Sequence, residues 1–521
     1  MAPKPMLRSV LAVSSATVMV ACASLPPAAG LPKPESSALA RPEQTTLGRV
    51  AVARAKEHQG LSGFRLLSVG ADGFLARMQM LKAAQRTIDV QYFLFEDGDT
   101  GKLITDAMRE AADRGVRVRL LVDDADFSRR GALIAALDAH PNVEVRIFNP
   151  FTYRGTNKVL RGLEFLFSAS RLDFRMHNKL FVADNAAALV GGRNVGDRYF
   201  LTRAEAEFED DDVFAIGPVV PVLSATFDDY WRSPLAVPLE ALSEAPGADE
   251  VLSEPGHEDG KPDPAEYKRR AASGTLLEGL LSGRLPLVWA RATVVCDAPE
   301  EKLEERGRSR ATPTKQTLLE AAGAARSQLL IVSPYFIPSG DNMKLLEDLR
   351  GRGVQVDVLT NSLESVDGAG ELMAFAAYAP YRPKLLEQGI RLHELKPFKR
   401  EPLDPKTGDI GQFALHAKAV VIDGRRLLIG SANFDPRSMH LNTEIGLLIE
   451  SPELARQVAA RYEGLMRRSK SYEVTLEEGG RLAWRTERDG KPVAYHEEPA
   501  RDEKQRAKVA ILSRLPLDEE L

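Results

Sequence analysis

Two stretches of this chain carry His, Lys, Asp, Gly and Asn at one fixed spacing. The first runs through His177, Lys179, Asp184, Gly191 and Asn194, and the second through His416, Lys418, Asp423, Gly430 and Asn433. At roughly one in twenty per fixed position, a single match arises by chance with a probability of about 10⁻⁴ over a chain of this length. Two matches are not coincidence. Two ammonium groups and two amides, with the Ser431 hydroxyl beside Gly430, can hold the non-bridging oxygens of a phosphodiester and stabilise the charge that grows on them. One imidazole can attack phosphorus while the other protonates the departing alcohol, which gives a phosphohistidine intermediate. Water or an alcohol then completes hydrolysis or transfer. The residues alone do not say which histidine attacks.

An attacking imidazole needs a group that fixes its tautomer, and Glu444, eleven residues after Asn433, is a candidate. Its counterpart lies in Asp210-Asp211-Asp212, among which the spacing does not choose. Asp184 and Asp423 complete the catalytic motif and are expected to fix local structure rather than react. No metal and no cofactor are expected: Lys is a poor ligand beside His, and neither His-x-x-x-His nor paired Cys occurs. His393 and His440 are given no role.

The elements around these residues explain why they can act together. His and Lys two apart on a strand point to one face, while Leu180 and Val182, or Ala417 and Val421, anchor the strand. Upstream, each half repeats one order. A buried strand (88–95; 329–332) precedes a helix with Leu103, Ile104 and Met108, or Leu345, Leu346 and Leu349. Gly115 or Gly353 ends that helix before a second strand (116–122; 354–359) and a third (143–148; 390–395). The fold class is therefore α/β: two similar α/β/α lobes from an internal duplication, with mostly parallel sheets and the active site at their interface. The lobes are predicted at 61–240 and 274–470, with an acidic, Pro-rich linker at 241–273 and a charged tail of unknown role at 471–521.

The chain has 521 residues, 44% hydrophobic and 27% charged, which excludes a disordered or fibrous protein. Lys and Arg number 69 against 74 Asp and Glu, a net charge of -5 that does not favour a nucleic-acid partner. Lys4 and Arg8 followed by the apolar run 10–21 read as an export signal too short to span a bilayer. The run ends in Val20-Ala21-Cys22, which resembles a lipobox with Cys22 lipidated; cleavage of an ordinary signal near Ala21 or Ala23 is the alternative. The reading is a signal peptide at 1–21, a Pro- and Ala-rich tether within 22–60, and a membrane-anchored lipoprotein of the bacterial envelope facing the periplasm. Ala23 points to the outer membrane. With Cys22 acylated, Cys296 has no disulfide partner.

The motifs resemble those of the phospholipase D superfamily. Within it, Arg175-Met-His-Asn-Lys179, Gly191-Gly-Arg-Asn-Val-Gly-Asp197, Thr360-Asn-Ser-Leu363, Asp435-Pro-Arg-Ser438 and Leu441-Asn-Thr-Glu444 are similar to the bacterial cardiolipin synthases of the C type. That resemblance implies a two-lobed fold without metal, His177 as nucleophile, His416 as general acid, and phosphatidyl transfer onto phosphatidylglycerol with phosphatidylethanolamine as donor. Phospholipids in a membrane are then the partners. One chain can complete the site, and no stretch identifies a protein partner. Competing readings are a head-group hydrolase with water as acceptor, a nuclease, and a non-catalytic envelope lipoprotein.

Overall fold

The computed structural model describes residues 30, 33–125, 132–155, 157–200, 206–242, 275–300, 312–399 and 412–517. The predicted signal peptide, Cys22 and nearly all of the linker lie outside them. The first lobe contains β1 (Ser62–Leu67), β2 (Thr87–Tyr92), β3 (Arg117–Asp123), β4 (Val143–Phe148), β5 (Lys179–Ala183), β6 (Ala187–Gly191) and β7 (Asp212–Ile216). The second contains β8 (Val288–Cys296), β9 (Gln328–Val332), β10 (Gln355–Asn361), β11 (Arg391–Leu395), β12 (Ala419–Ile422), β13 (Arg426–Gly430) and β14 (Ile445–Glu450).

Hydrogen bonding orders the first set β4-β3-β2-β5-β6-β7-β1. The second set runs β11-β10-β9-β12-β13-β14-β8, the same order repeated. β1 and β8 then pair antiparallel, so the two sheets meet edge to edge as one. One buried core cluster spans that join, with Leu180 and Val213 from the first lobe and Val421 and Leu447 from the second.

The expected mostly parallel sheet is found only where helices cross over. β2 to β4, and β9 to β11, are parallel because the helices Asp99–Asp113 and Gly340–Gly351 return the chain to the same end. Gly115 and Gly353 follow them with φ of 86° and 80°, a conformation glycine adopts without penalty. The motif strands are antiparallel because tight turns join them. Asp184 and Asn185 have φ of 52° and 49°, Asp423 and Gly424 52° and 59°, matching the twisted hairpin turn that suits antiparallel neighbours.

Three expected boundaries move. From Lys33 the predicted tether is a strap laid along the first lobe, because buried arginines take its carbonyls. Arg119 donates to Ser36 O at 3.0 Å and Arg146 to Pro34 O at 2.8 Å. A helix, Thr46–Lys56, comes after it. Residues 275–285 pack with the first lobe rather than the second, burying Leu280 and Leu285 in its core. The predicted tail is part of the second lobe: Ser471–Leu476 pairs with β11, Leu482–Arg488 and Lys491–Tyr495 extend that edge, and Glu503–Leu512 packs on the helix Ala369–Tyr378.

Arg119 also bridges Asp89 at 2.6 Å and Asp228 at 2.7 Å, lying over the rings of Phe227 and Trp231. Arg119→Met leaves two carboxylates without their cation inside the lobe, which costs about 3–5 kcal/mol. Urea denaturation should show a midpoint lowered accordingly, with part of the loss restored when Asp89→Asn is added.

Candidate active site

Both motifs sit where the two half-sheets meet. Leu180 and Val182 of β5 face the core shared by the lobes, while Phe181 and Ala183 face the core of the first lobe alone. That alternation holds the strand rigidly, and Lys179 stands at its first position, next to the lobe boundary. His177 lies just ahead of β5, its backbone N–H bonded to Thr443 O at 2.9 Å across the lobe boundary. The other motif mirrors this: His416 donates its backbone N–H to Glu209 O at 2.8 Å.

The side chains cross as well. His177 Nδ1 lies 2.9 Å from Glu444 Oε2, and His416 Nδ1 lies 2.6 Å from Asp210 Oδ2. Each histidine is therefore held by a carboxylate of the opposite lobe. Both imidazoles are only 7% exposed, and both carboxylates are fully buried. A carboxylate at Nδ1 requires the Nδ1–H tautomer and leaves the Nε2 lone pair free.

The sheet register explains the pairing. Gly191 is opposite Asp212 and Gly430 is opposite Gly446, so Asp210 and Glu444 each stand two residues before the partner of a motif glycine. A Cβ on Gly192 would lie 2.2 Å from Asp210 Oδ1, so glycine is what admits the carboxylate there. Asp211 instead receives the Tyr462 hydroxyl, and Asp212 pairs with Arg77 at 2.9 Å.

Lys179 Nζ donates to His177 O at 2.6 Å, and Lys418 Nζ donates to His416 O. Burial lowers the pKa of every cation here. His177 falls to about 4 through burial, against the opposing pull of Glu444, and His416 falls well below its usual value through burial and the neighbouring lysines. Lys418 falls to about 8 and Lys179 well below its ordinary range, both mainly through burial. Burial would raise Glu444, yet the adjacent His177 carries it down to about 2. At neutral pH the imidazoles are thus uncharged and Glu444 is ionised.

The remaining motif residues divide into groups. Asp184 Oδ1 accepts the backbone N–H groups of Arg86 and Thr87 at 2.8 and 3.0 Å; Asp423 does the same for Ser327 and Gln328. Each aspartate pins the start of the strand next to its motif strand and faces away from the reacting imidazoles. Ser431, expected on the substrate, donates its hydroxyl to Glu444 and accepts Ile445 N–H at 2.9 Å, so it positions that carboxylate. Asn194 spends its amide on Leu94 N–H and on the Tyr199 hydroxyl at 2.8 Å. Asn433 differs: its Oδ1 is buried without a hydrogen-bond partner among the described residues. Phe93 packs edge-on to His177 at 5.0 Å, and Tyr199 and Phe208 flank His416 at 5.1 and 4.9 Å. These aromatic walls escaped the sequence because isolated aromatics carry no spacing signal. Asp210 was obscured by loop length: sixteen positions separate it from Asn194, against eleven between Asn433 and Glu444.

Comparison with known proteins decides the family. A family model described as "Cardiolipin synthase, PLD-like domain" matches residues 78–231 and 318–466, one match in each lobe. The chain belongs to the phospholipase D-like family. Among its relatives, cardiolipin synthase C of Escherichia coli K12 is 37% identical over 89% of this chain and 97% of its own length. Cardiolipin synthase A of Pseudomonas syringae is 29% identical over 76% of this chain and 66% of its own. A solved phosphatidylserine synthase of Haemophilus influenzae shares the fold, with a TM-score of 0.56, 15% identity, and coverage of 90% of this chain and 99% of that one. The two phospholipase D-like matches include the strands β5 and β6, and β12 and β13, that carry the motifs.

Proposed function

We propose that this chain is a phosphatidyltransferase that makes cardiolipin from phosphatidylglycerol and a second phospholipid. The observation that carries the reading is the crossed pair of carboxylate-held histidines, set between two buried lysines, in a chain that spans nearly the whole of a cardiolipin synthase. His177 Nε2 attacks the donor phosphorus while Lys179, Lys418 and the Asn433 amide balance charge on the non-bridging oxygens. The bond from phosphorus to the head-group oxygen breaks, and that oxygen takes the proton from His416. The anionic phosphodiester offsets the burial that otherwise strips that proton. In the second step neutral His416 accepts the proton of a phosphatidylglycerol hydroxyl, whose oxygen displaces His177 from phosphorus.

Phosphatidylethanolamine is the donor in this reading, and one chain supplies every group the reaction uses. Incubating the purified chain with phosphatidylglycerol, with and without phosphatidylethanolamine, and resolving products by mass spectrometry tests it. Cardiolipin that requires both lipids is the expected result. Phosphatidic acid alone makes the enzyme a hydrolase, and no lipid turnover overturns the reading. No helix among the described residues is long and apolar enough to cross a membrane, and in this reading lipidated Cys22 anchors the protein at the periplasmic face, on the outer membrane. Loss of acyl labelling in Cys22→Ala checks that anchor.

The site also sets a pH profile. The attacking form of His177 is neutral and is present above its pKa of about 4, whereas the charged form of Lys418 is present below about 8. The value of kcat/KM should therefore rise through about pH 4 and begin to fall no later than about pH 8, because His416 and Lys179 must also carry protons and burial lowers both. An acid limb near 6.5 would mean that His177 is solvated.

A further inference from the structure

The helix Lys158–Leu172, which has no counterpart among the described residues of the second lobe, is packed inside out. Its polar side holds it to the protein. Glu164 accepts the backbone N–H groups of Thr152 and Tyr153 at 2.6 and 2.8 Å, Arg161 donates to Asp124 O at 2.8 Å, and Arg171 donates to Pro150 O at 2.8 Å. Its apolar side faces outward. Val159, Leu160, Leu163, Leu166 and Phe167 recur at three- and four-residue steps along one stripe, with Phe165 beside it. Leu166 is 73%, Val159 70% and Phe167 58% exposed. Of the eleven exposed large apolar side chains among the described residues, these six fall within nine consecutive positions. A surface helix in water ordinarily shows the reverse arrangement.

The place of the helix is equally specific. It ends five residues before His177, and its terminal Asp173 receives Arg437, four residues beyond Asn433, at 2.8 Å. The base of the apolar stripe is thus fastened to both motif regions. From Arg154 to Arg175 the sequence has five basic and two acidic residues, ends included, and four of the basic ones are bound within the protein: Arg154 to Asp124, Arg161 to Asp124 O, Arg171 to Pro150 O and Arg175 to Asp123. Both acidic residues are occupied within the protein, by backbone amides and by Arg437.

We propose that this helix is the membrane-docking face of the enzyme: its apolar stripe enters the acyl boundary of a phospholipid bilayer, and the catalytic cleft beside it is brought to the lipid surface. The inference rests on the proposed phospholipid substrate, whose acyl chains stay in a bilayer while its phosphate must reach His177. An apolar stripe turned outward from a helix whose polar side is fixed to the protein is a surface that burial in the acyl boundary of a bilayer would stabilise.

Two measurements on the full chain test it. Leu166→Glu/Phe167→Glu should lower turnover on mixed phosphatidylglycerol and phosphatidylethanolamine vesicles by about tenfold or more, while leaving turnover of the short-chain forms of the same two lipids below their micelle thresholds within about twofold. Val222→Glu, a substitution at an exposed apolar residue on a different helix, should change neither. A Leu166→Trp chain should show indole fluorescence quenched by vesicles of brominated phosphatidylglycerol, a readout that does not depend on catalysis. Equal loss on both substrates, or no quenching, overturns the inference. So does a dimer in sedimentation that the double variant dissociates without change on vesicles, because the stripe would then join two copies. Quenching without turnover of either lipid by the unaltered chain supports the docking face and removes the proposed reaction.

Discussion

His177→Ala is expected to abolish transfer, a loss on the order of 10⁴-fold or more, because in the proposed reaction His177 forms the covalent intermediate. His416→Ala should fail differently. Its task is to move a proton onto one alcohol and off another, so a phosphodiester with a good leaving group, such as a p-nitrophenyl ester, does not need it in the first step. That variant should release a burst of about one p-nitrophenol per enzyme and then stall, with phosphorus trapped on His177. Stopped-flow absorbance combined with mapping of alkali-stable, acid-labile phosphorus on the protein reads the result. A burst from His177→Ala and none from His416→Ala would exchange the two roles.

The crossed carboxylates give the second large effect. Glu444→Gln and Asp210→Asn keep the side-chain shapes but remove the charge that fixes Nδ1–H on His177 and His416 respectively. Each should lower kcat by roughly 10²–10⁴-fold through the wrong tautomer. The two differ with the activated ester: Glu444→Gln suppresses the burst, whereas Asp210→Asn preserves it and slows release of the phosphatidyl group from His177. Both variants should melt as cooperatively as the parent, which separates a positioning effect from unfolding. A lost burst in Asp210→Asn with a retained one in Glu444→Gln would mean that each carboxylate serves the histidine of its own lobe.

Much of this architecture is legible in the residues. The strands and helices of each half come from buried apolar runs and helical spacing, and β2, β3, β4 and their repeats fall within a few residues of those expectations. The expectation that His177 and Lys179 share one strand is met only in part, since β5 starts at Lys179 and His177 lies just ahead of it. The exchange of carboxylates is not legible, because it depends on Met176 pairing with Thr443 and Leu415 with Glu209 across the lobe boundary, and no local pattern encodes a pairing between segments so distant in the chain. The strap from Lys33 was hidden for another reason. Its contacts are made by backbone carbonyls to Arg119 and Arg146, and carbonyls are the same in every sequence. The strands at 471–495 were hidden by their charge: Tyr472, Val474 and Trp484 enter the second-lobe core, but charged residues between them mask the apolar alternation.

The residues at the two equivalent carboxylate positions differ: Asp210 reaches its imidazole with one methylene fewer than Glu444. Two identical subunits sharing a gene could never make that distinction, since any change would appear on both sides of the twofold axis at once. Fusing the copies into one chain freed each half to drift. The imidazoles of this site no longer have to be interchangeable, and a division of labour between attacker and proton carrier can be inherited rather than chosen afresh by each substrate that binds.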